Sequence, residues 1–395
     1  MKMKILHVGP VYSNHSSGPS FSILGLAKGE ASIGCEVALL PSEPPGINGK
    51  TVGNDIALIA GPNKRHLNPW KVSKDWIKVI RENFGEPDII NFHDTYIPFQ
   101  TALARLFTRE GWPYVFTPRG GLTRLAQGVK SLKKRVGNLF FFNHFVMNAR
   151  TIHVLCENEA ADVRLFYPKA DIFIVPNGID EDLFLLSSRL NLNKLKGFRK
   201  EGDLVLGFIG RIDIYHKGID LLLLSLKSLQ DRGLGKNVKL LMVGPFYTPN
   251  DEQQVRKLIS VLRFPDNVML TGPVYGDEKW RLLLACDVFV HTSRFEGMPM
   301  AVLEAMAFGK PCIVTPGSDM QDIVSGCNGG WLCNPSINSI SDTLLKVYKE
   351  KETIRERGEN SKNYAKSHLT WPLVAQQWLA NVHEILNAGE HHDRI

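Results

Sequence analysis

Apolar residues fall into short runs, separated by stretches in which they recur at helical spacing. The first run covers residues 5–8, and a loop rich in Gly, Pro, Ser and Asn follows over residues 9–20. Phe21, Leu24, Leu26 and Ala27 then take up a helical spacing. Together these predict a strand, a loop and a helix, the opening step of a doubly wound sheet. Similar runs lie at 36–40, 56–59, 88–92, 114–116, 151–155 and 172–175, with helical segments such as 70–83 between several of them. Such alternation implies a mostly parallel sheet.

After Pro176-Asn177-Gly178-Ile179-Asp180, residues 187–203 are polar and basic and contain no clear buried strand. The strand pattern restarts at 204–210, and further runs at 239–243, 268–270, 288–291 and 311–315 predict a second αβ sheet. The expected domains are therefore residues 1–186 and 187–370. A terminal amphipathic helix within 371–390 could stay with the second domain or cross back to the first. No repeat of solenoid period is present.

The 395 residues, 44% hydrophobic and 22% charged, have globular composition and a length suited to two domains. No apolar run reaches the length of a membrane span, and the start Met1-Lys2-Met3-Lys4 turns polar too soon for a signal peptide. The expected location is the cytoplasm, with a peripheral place on the inner membrane face left open. Six cysteines (35, 156, 286, 312, 327 and 333) lack both C-x2-C and zinc spacing, so neither a disulfide framework nor a structural metal is expected. The net charge is +7, and residues 101–150 carry nine Lys/Arg against the single acid Glu110. Phosphate, nucleic acid and anionic lipid would all be attracted, so charge alone does not choose among them.

The stretch 293–311 reads strand end, glycine-containing loop, helix, glycine stop, strand. A helix starting near Pro299 would turn its free N–H groups outward at the carboxyl edge of the sheet, where phosphate is favoured. Glu296 precedes Glu304 by eight positions, so the two acids can flank different parts of one extended ligand, accepting from sugar and ribose hydroxyls. A helix-start charge and a solvated helix acid are the plainer alternatives. Gly210-Arg211 follows a buried-type strand and Lys217-Gly218 precedes a helix at 219–229; the two cations could bracket a diphosphate or lie in a solvated turn.

Gly210-Arg211…Lys217-Gly218 together with Glu296-x7-Glu304 resembles glycosyltransferase family 4, a large retaining family. Asn177-Gly178 resembles its inter-domain segment, and Gly272-Pro273-Val274-Tyr275 resembles a loop that holds the nucleotide base through its backbone. The resemblance covers nearly the whole chain and implies a GT-B fold, two Rossmann-like doubly wound domains facing across a cleft. It implies that Arg211 and Lys217 bind the donor diphosphate and stabilise the departing nucleotide, with no metal or other cofactor required. Glu296, with backbone N–H groups of Gly297, Met298 and Met300, would hold the donor sugar, and Glu304 the ribose. Gly210, Gly272 and Val274 complete the expected donor site in the second domain.

On the N-terminal side, Gly18-Pro19-Ser20 stands where relatives carry two glycines. Gly18 still permits close approach to the donor phosphates, and Pro19 suits a first helical turn. His93 matches a family histidine facing the donor sugar, although a strand-end His is more often structural. Thr117-Pro118-Arg119-Gly120 resembles the variant of bacterial polysaccharide-building members, with Arg119 and Gly120 on the acceptor side. The basic-to-apolar segment 130–142 fits an anionic membrane surface beside a lipid-linked glycan acceptor, and equally a packed helix with a solvated basic face.

The implied reaction retains the anomeric configuration by front-face substitution, moving a hexose from a nucleotide-sugar, UDP-glucose being the first expectation. A nucleotide-sugar epimerase or phosphorylase on the same fold and a non-catalytic nucleotide-sugar-binding subunit are the competing readings. Nucleic acid is not an expected partner, because the basic segment has no recognised binding motif. The absence of G-x-G-x-x-G from the first loop disfavours a dinucleotide oxidoreductase.

Overall fold

The computed structural model describes residues 2–11, 18–42, 51–52, 55–61, 71–128, 137–190, 195 and 197–392. The chain forms two compact units, Met1–Gly178 with Leu369–Ile395, and Ile179–His368.

The first unit is built on β1 (Lys4–Gly9), β2 (Glu36–Pro41), β3 (Thr51–Val52), β4 (Ile56–Leu58), β5 (Ile89–His93), β6 (Tyr114–Thr117), β7 (Thr151–Val154) and β8 (Ile172–Ile174). They lie in the order β3-β4-β2-β1-β5-β6-β7-β8. All neighbours are parallel except the short antiparallel pair β3 and β4. Ile5, Leu6 and Val8 of β1 and Ile90 and Phe92 of β5 are buried, because helices cover both faces of a parallel sheet. The chain winds outward from β1 to β2 and β4, then returns to place β5 on the other side of β1. That reversal opens a crevice at the carboxyl ends of β1 and β5.

Helix Gly18–Ser32 packs against the terminal helix Trp371–His392, which belongs to this unit. A Cβ on Gly25 would sit 2.0 Å from the Trp371 ring, and one on Gly29 would sit 2.4 Å from the Trp371 carbonyl oxygen. Only bare backbone lets the two helices approach this closely.

The second unit is built on β9 (Leu204–Ile209), β10 (Val238–Val243), β11 (Val268–Leu270), β12 (Val288–His291), β13 (Cys312–Val314) and β14 (Gly330–Leu332). The order is β11-β10-β9-β12-β13-β14, all parallel. Here the winding reverses between β9 and β12, so the ligand crevice is expected just beyond Ile209 and His291. Leu206, Phe208, Leu240, Met242, Val290 and Ile313 form the core of this sheet.

The sequence puts the domain change at 186/187, whereas the compact units divide at Gly178 and Ile179. Helix Asp182–Arg189 accounts for the difference, since it packs on helix Met300–Ala307 of the second unit. Cys286, Cys312 and Cys333 are buried, Cys35, Cys156 and Cys327 are half-buried, and all six are free thiols. Residues 12–17 of the first loop and 129–136 of the basic segment lie outside the described residues. No helix among the described residues is long and apolar enough to cross a membrane.

Candidate active site

At the reversal point of the second sheet, Lys217 Nζ lies 2.5 Å from Glu296 Oε1, and His291 Nε2 lies 2.7 Å from the same oxygen. Ser293 Oγ also donates to Glu296 Oε1. The Lys217 and Glu296 side chains are only 14% and 10% exposed. Burial alone would raise the Glu296 carboxyl, but His291 and Lys217, through charge and hydrogen bonds, hold it well below the usual carboxylate range. His291 lies near-parallel to the rings of Phe208 and Phe289 and turns Nε2 toward Glu296. Its Nδ1 is buried without a hydrogen-bond partner.

Lys217 is held by the turn behind it. Gly218 has φ +62°, and a Cβ there would sit 2.1 Å from the Thr292 carbonyl oxygen. The Thr292 hydroxyl donates to the Lys217 and Gly218 carbonyls at 3.2 and 3.1 Å. This strap ties the loop after β9 to the loop after β12. Arg294 reinforces it, gripping Asp220 with two bonds of 2.7 Å.

Helix Met300–Ala307 starts one residue after Pro299, which serves as its cap. Gly297 and Met298 precede it, and Met298 is buried with φ +45°, a costly conformation for a side chain of that size. Glu304 on this helix is not a free acceptor, because Lys279 Nζ contacts both of its oxygens at 2.8 and 2.7 Å. Arg211 is half exposed and stacks on Tyr247, with its guanidinium carbon 4.2 Å from the ring centroid. Gly210 N–H bonds the Val243 carbonyl and Gly244 N–H bonds the Gly272 carbonyl, each at 2.9 Å. These bonds bring the Gly272 loop beside the end of β9. Val274 is half-buried on that loop.

The first unit gathers a separate cluster at its own reversal point. His93 is fully buried, with Nε2 2.8 Å from His7 Nδ1. Arg119 approaches His93 Nδ1 with Nε at 3.3 Å and Nη2 at 3.1 Å, and its Nη1 donates to Asn177 Oδ1 at 3.3 Å. Burial, then Arg119, His7 and His153, push His93 well below the usual histidine range. Burial lowers Arg119 to about 10 against the pull of Asp94 and Glu159. Arg119 and Gly120 have φ +50° and +80°, and Gly120 N–H bonds Glu159 Oε1 at 2.5 Å. Gly18 starts the first helix, with open space where a Cβ would stand.

Two families match consecutive parts of the chain, "Glycosyltransferase Family 4" over residues 16–183 and "Glycosyl transferases group 1" over residues 192–364. The chain is a family 4 glycosyltransferase. Among relatives of this glycosyltransferase, the mannosylfructose-phosphate synthase of Agrobacterium fabrum is 26% identical over 339 residues, which is 80% of this chain and 73% of the relative. The sucrose-phosphate synthase of Thermosynechococcus elongatus superposes with TM-score 0.70 at 17% identity, covering 98% of this chain and all of that one. Anabaena Alr3699/HepE, solved in complex with UDP and glucose, gives TM-score 0.68 at 16% identity over 97% of this chain and all of its own. These likenesses agree with the two parallel αβ sheets.

Within the glycosyltransferase, Lys217 and Glu296 meet directly, and so do His93 and Arg119. Glu304 meets Lys279 instead. Sequence reasoning missed His291, Ser293 and Lys279. The first two stand at a strand end just before Glu296, a position that could have drawn attention. Lys279 carries no such signal, since it reaches Glu304 from a different helix.

Proposed function

We propose that this glycosyltransferase moves a hexose from a nucleotide-sugar, with UDP-glucose the first candidate, to a glycan or lipid-linked acceptor of polysaccharide biosynthesis, retaining the anomeric configuration. The observation that carries the reading is the Lys217–Glu296 pair at the β9/β12 reversal point, beside the start of helix Met300–Ala307. A cation and an anion held together there suit a ligand with a diphosphate on one side and hydroxyls on the other. On donor binding the partners exchange, Lys217 turning to the diphosphate and Glu296 to the sugar hydroxyls. Arg211, half exposed on Tyr247, is free to close on the phosphates. Lys279 orients Glu304 for the ribose. Gly297, Met298 and Met300 offer backbone N–H groups, and Gly272 and Val274 line the place of the base.

In the reaction the bond from the anomeric carbon to the phosphate oxygen breaks, and the acceptor oxygen bonds to the same face. The acceptor proton passes to the departing phosphate oxygen. Arg211 and Lys217 hold the charge that develops, fixed cations doing so without a metal. His93 and Arg119 serve the sugar and acceptor side. The UDP and glucose bound by Alr3699/HepE support the choice of donor. The reaction belongs on the cytoplasmic side, at the membrane surface where the acceptor is lipid-linked.

Thermal-shift screening against UDP, GDP, ADP and their sugar conjugates tests the reading. One nucleotide should raise Tm selectively, and Arg211→Ala and Glu304→Ala should each abolish the shift. A shift that survives both changes would remove the donor assignment, and an inverted product linkage would remove the retaining step.

A further inference from the structure

His7 in the middle of β1, Glu30 on helix Gly18–Ser32 and His93 at the end of β5 are each fully buried. They form a continuous line of hydrogen bonds. Arg119 meets His93 Nδ1, His93 Nε2 meets His7 Nδ1 at 2.8 Å, and His7 Nε2 meets Glu30 Oε2 at 2.6 Å. The two imidazoles stack with centroids 5.1 Å apart, and Trp378 of the terminal helix lies against His7.

The direction of the line follows from its ends. Arg119 has donors only, so His93 Nδ1 must offer a lone pair and a neutral His93 must carry its proton on Nε2. That proton points to His7 Nδ1, which therefore accepts, and His7 must carry its own proton on Nε2. The His7 proton then meets Glu30 Oε2, which in the carboxylate form, the form above its burial-raised titration, can only accept. Glu30 Oε1 is buried without a hydrogen-bond partner, so the carboxylate is committed to His7 alone. With Glu30 as the carboxylate, the two ends impose the same tautomer, Arg119 from the site and Glu30 from the interior. None of the donor-site contacts uses His7 or Glu30, yet a fully buried acid is costly.

We propose that Glu30 and His7 are positioning residues that keep the His93 proton on Nε2 even when Arg119 leaves, so that Nδ1 remains an acceptor for a substrate hydroxyl. Arg119 can then turn to an anionic group of the substrate without His93 changing face. The word substrate rests on the transferase reading; the tautomer lock does not.

Long-range 1H–15N correlation spectra of 15N-histidine-labelled full chain, at mildly alkaline pH and without ligand, read the tautomer directly. In Arg119→Ala, His93 Nδ1 should stay unprotonated, because the interior end still holds it. Adding Glu30→Leu to Arg119→Ala should populate the Nδ1-protonated form to a comparable or greater share, and Glu30→Gln in its place, with an amide oxygen that still accepts, should restore the lock. Should the leucine variant not fold, Arg119→Ala with His7→Phe removes the acceptor for His93 Nε2–H and reads the same shift. Nδ1 protonated in Arg119→Ala alone, or unmoved in every double variant, overturns the proposal. With UDP-glucose as the probe, Glu30→Leu alone should lower kcat about 10- to 100-fold with KM unchanged, taking the size seen when the group that orients a metal-bound histidine is lost. If the unmodified chain itself leaves UDP-glucose unturned, the donor assignment fails and the spectra alone decide the lock.

Discussion

Lys217 and Glu296 hold each other in an almost dry setting, where removing one partner of an ion pair costs far more than removing both. Lys217→Met leaves the Glu296 carboxylate with only His291 and Ser293, and the expected loss is about 3 kcal/mol in urea unfolding. Adding Glu296→Gln should recover most of that loss, because no charge is then left stranded. A double variant no more stable than Lys217→Met would show that the pair is not what holds the loop. At this scale Glu296, Lys217 and Arg211 are legible in the sequence, since each sits at a strand end or helix start within a glycine-marked loop. Lys279, which holds Glu304, and His7, which meets His93, are not, because they are distinguished only by what the fold brings beside them.

Helices Gly18–Ser32 and Trp371–His392 come together through a strip that only glycine allows. Alanine is the better helix former, yet Gly25→Ala drives a Cβ into a rigid indole 2.0 Å away. We expect it to destabilise by about 1–3 kcal/mol, the range for overpacking, measured by calorimetry. Gly25→Ala in a Trp371→Ala background should be close to neutral. Most strands could be read because a parallel sheet covered on both faces requires an unbroken apolar run, as in β1, β5, β9 and β12. Two strands could not be read this way. β3 has two residues, and β14 is the edge Gly-Trp-Leu, which opens on a glycine that follows another glycine, so neither stands out as an unbroken apolar run. Asp75 rather than Trp70 begins the first long helix after β4, and residues 62–70 lie outside the described residues.

For the molecule as a whole, acid should be the weakness. His153 is held at about 3, burial being the main cause, with its bond to the Val175 carbonyl pulling the other way and Arg119 and His7 adding to the depression. The unfolded side chain titrates near 6.5, so between those values the unfolded chain takes a proton that the folded chain refuses. Stability therefore rises with pH through that window and falls on acidification, and His93 acts in the same sense. Glu296 adds to the loss once the pH falls through the usual carboxylate range, where the unfolded carboxyl takes a proton that the folded one refuses, and Glu30, raised by burial, works against it. A Tm that drops from neutrality into the window is the expected result; a flat one would mean that these histidines are not buried neutral. The domain change was misplaced in sequence by the polar stretch 187–203, which looks like a linker although the preceding helix already belongs to the second unit.

The terminal helix also has a consequence for how the chain is made. Trp371 and Trp378 fill the first unit, yet the ribosome reaches them only after the entire second unit has emerged. The second unit is thus complete in sequence while the first still shows the bare glycine strip of its first helix, an apolar groove waiting for its own last helix. Until translation passes Trp378, the unit that is begun first of the two is the one that cannot finish folding.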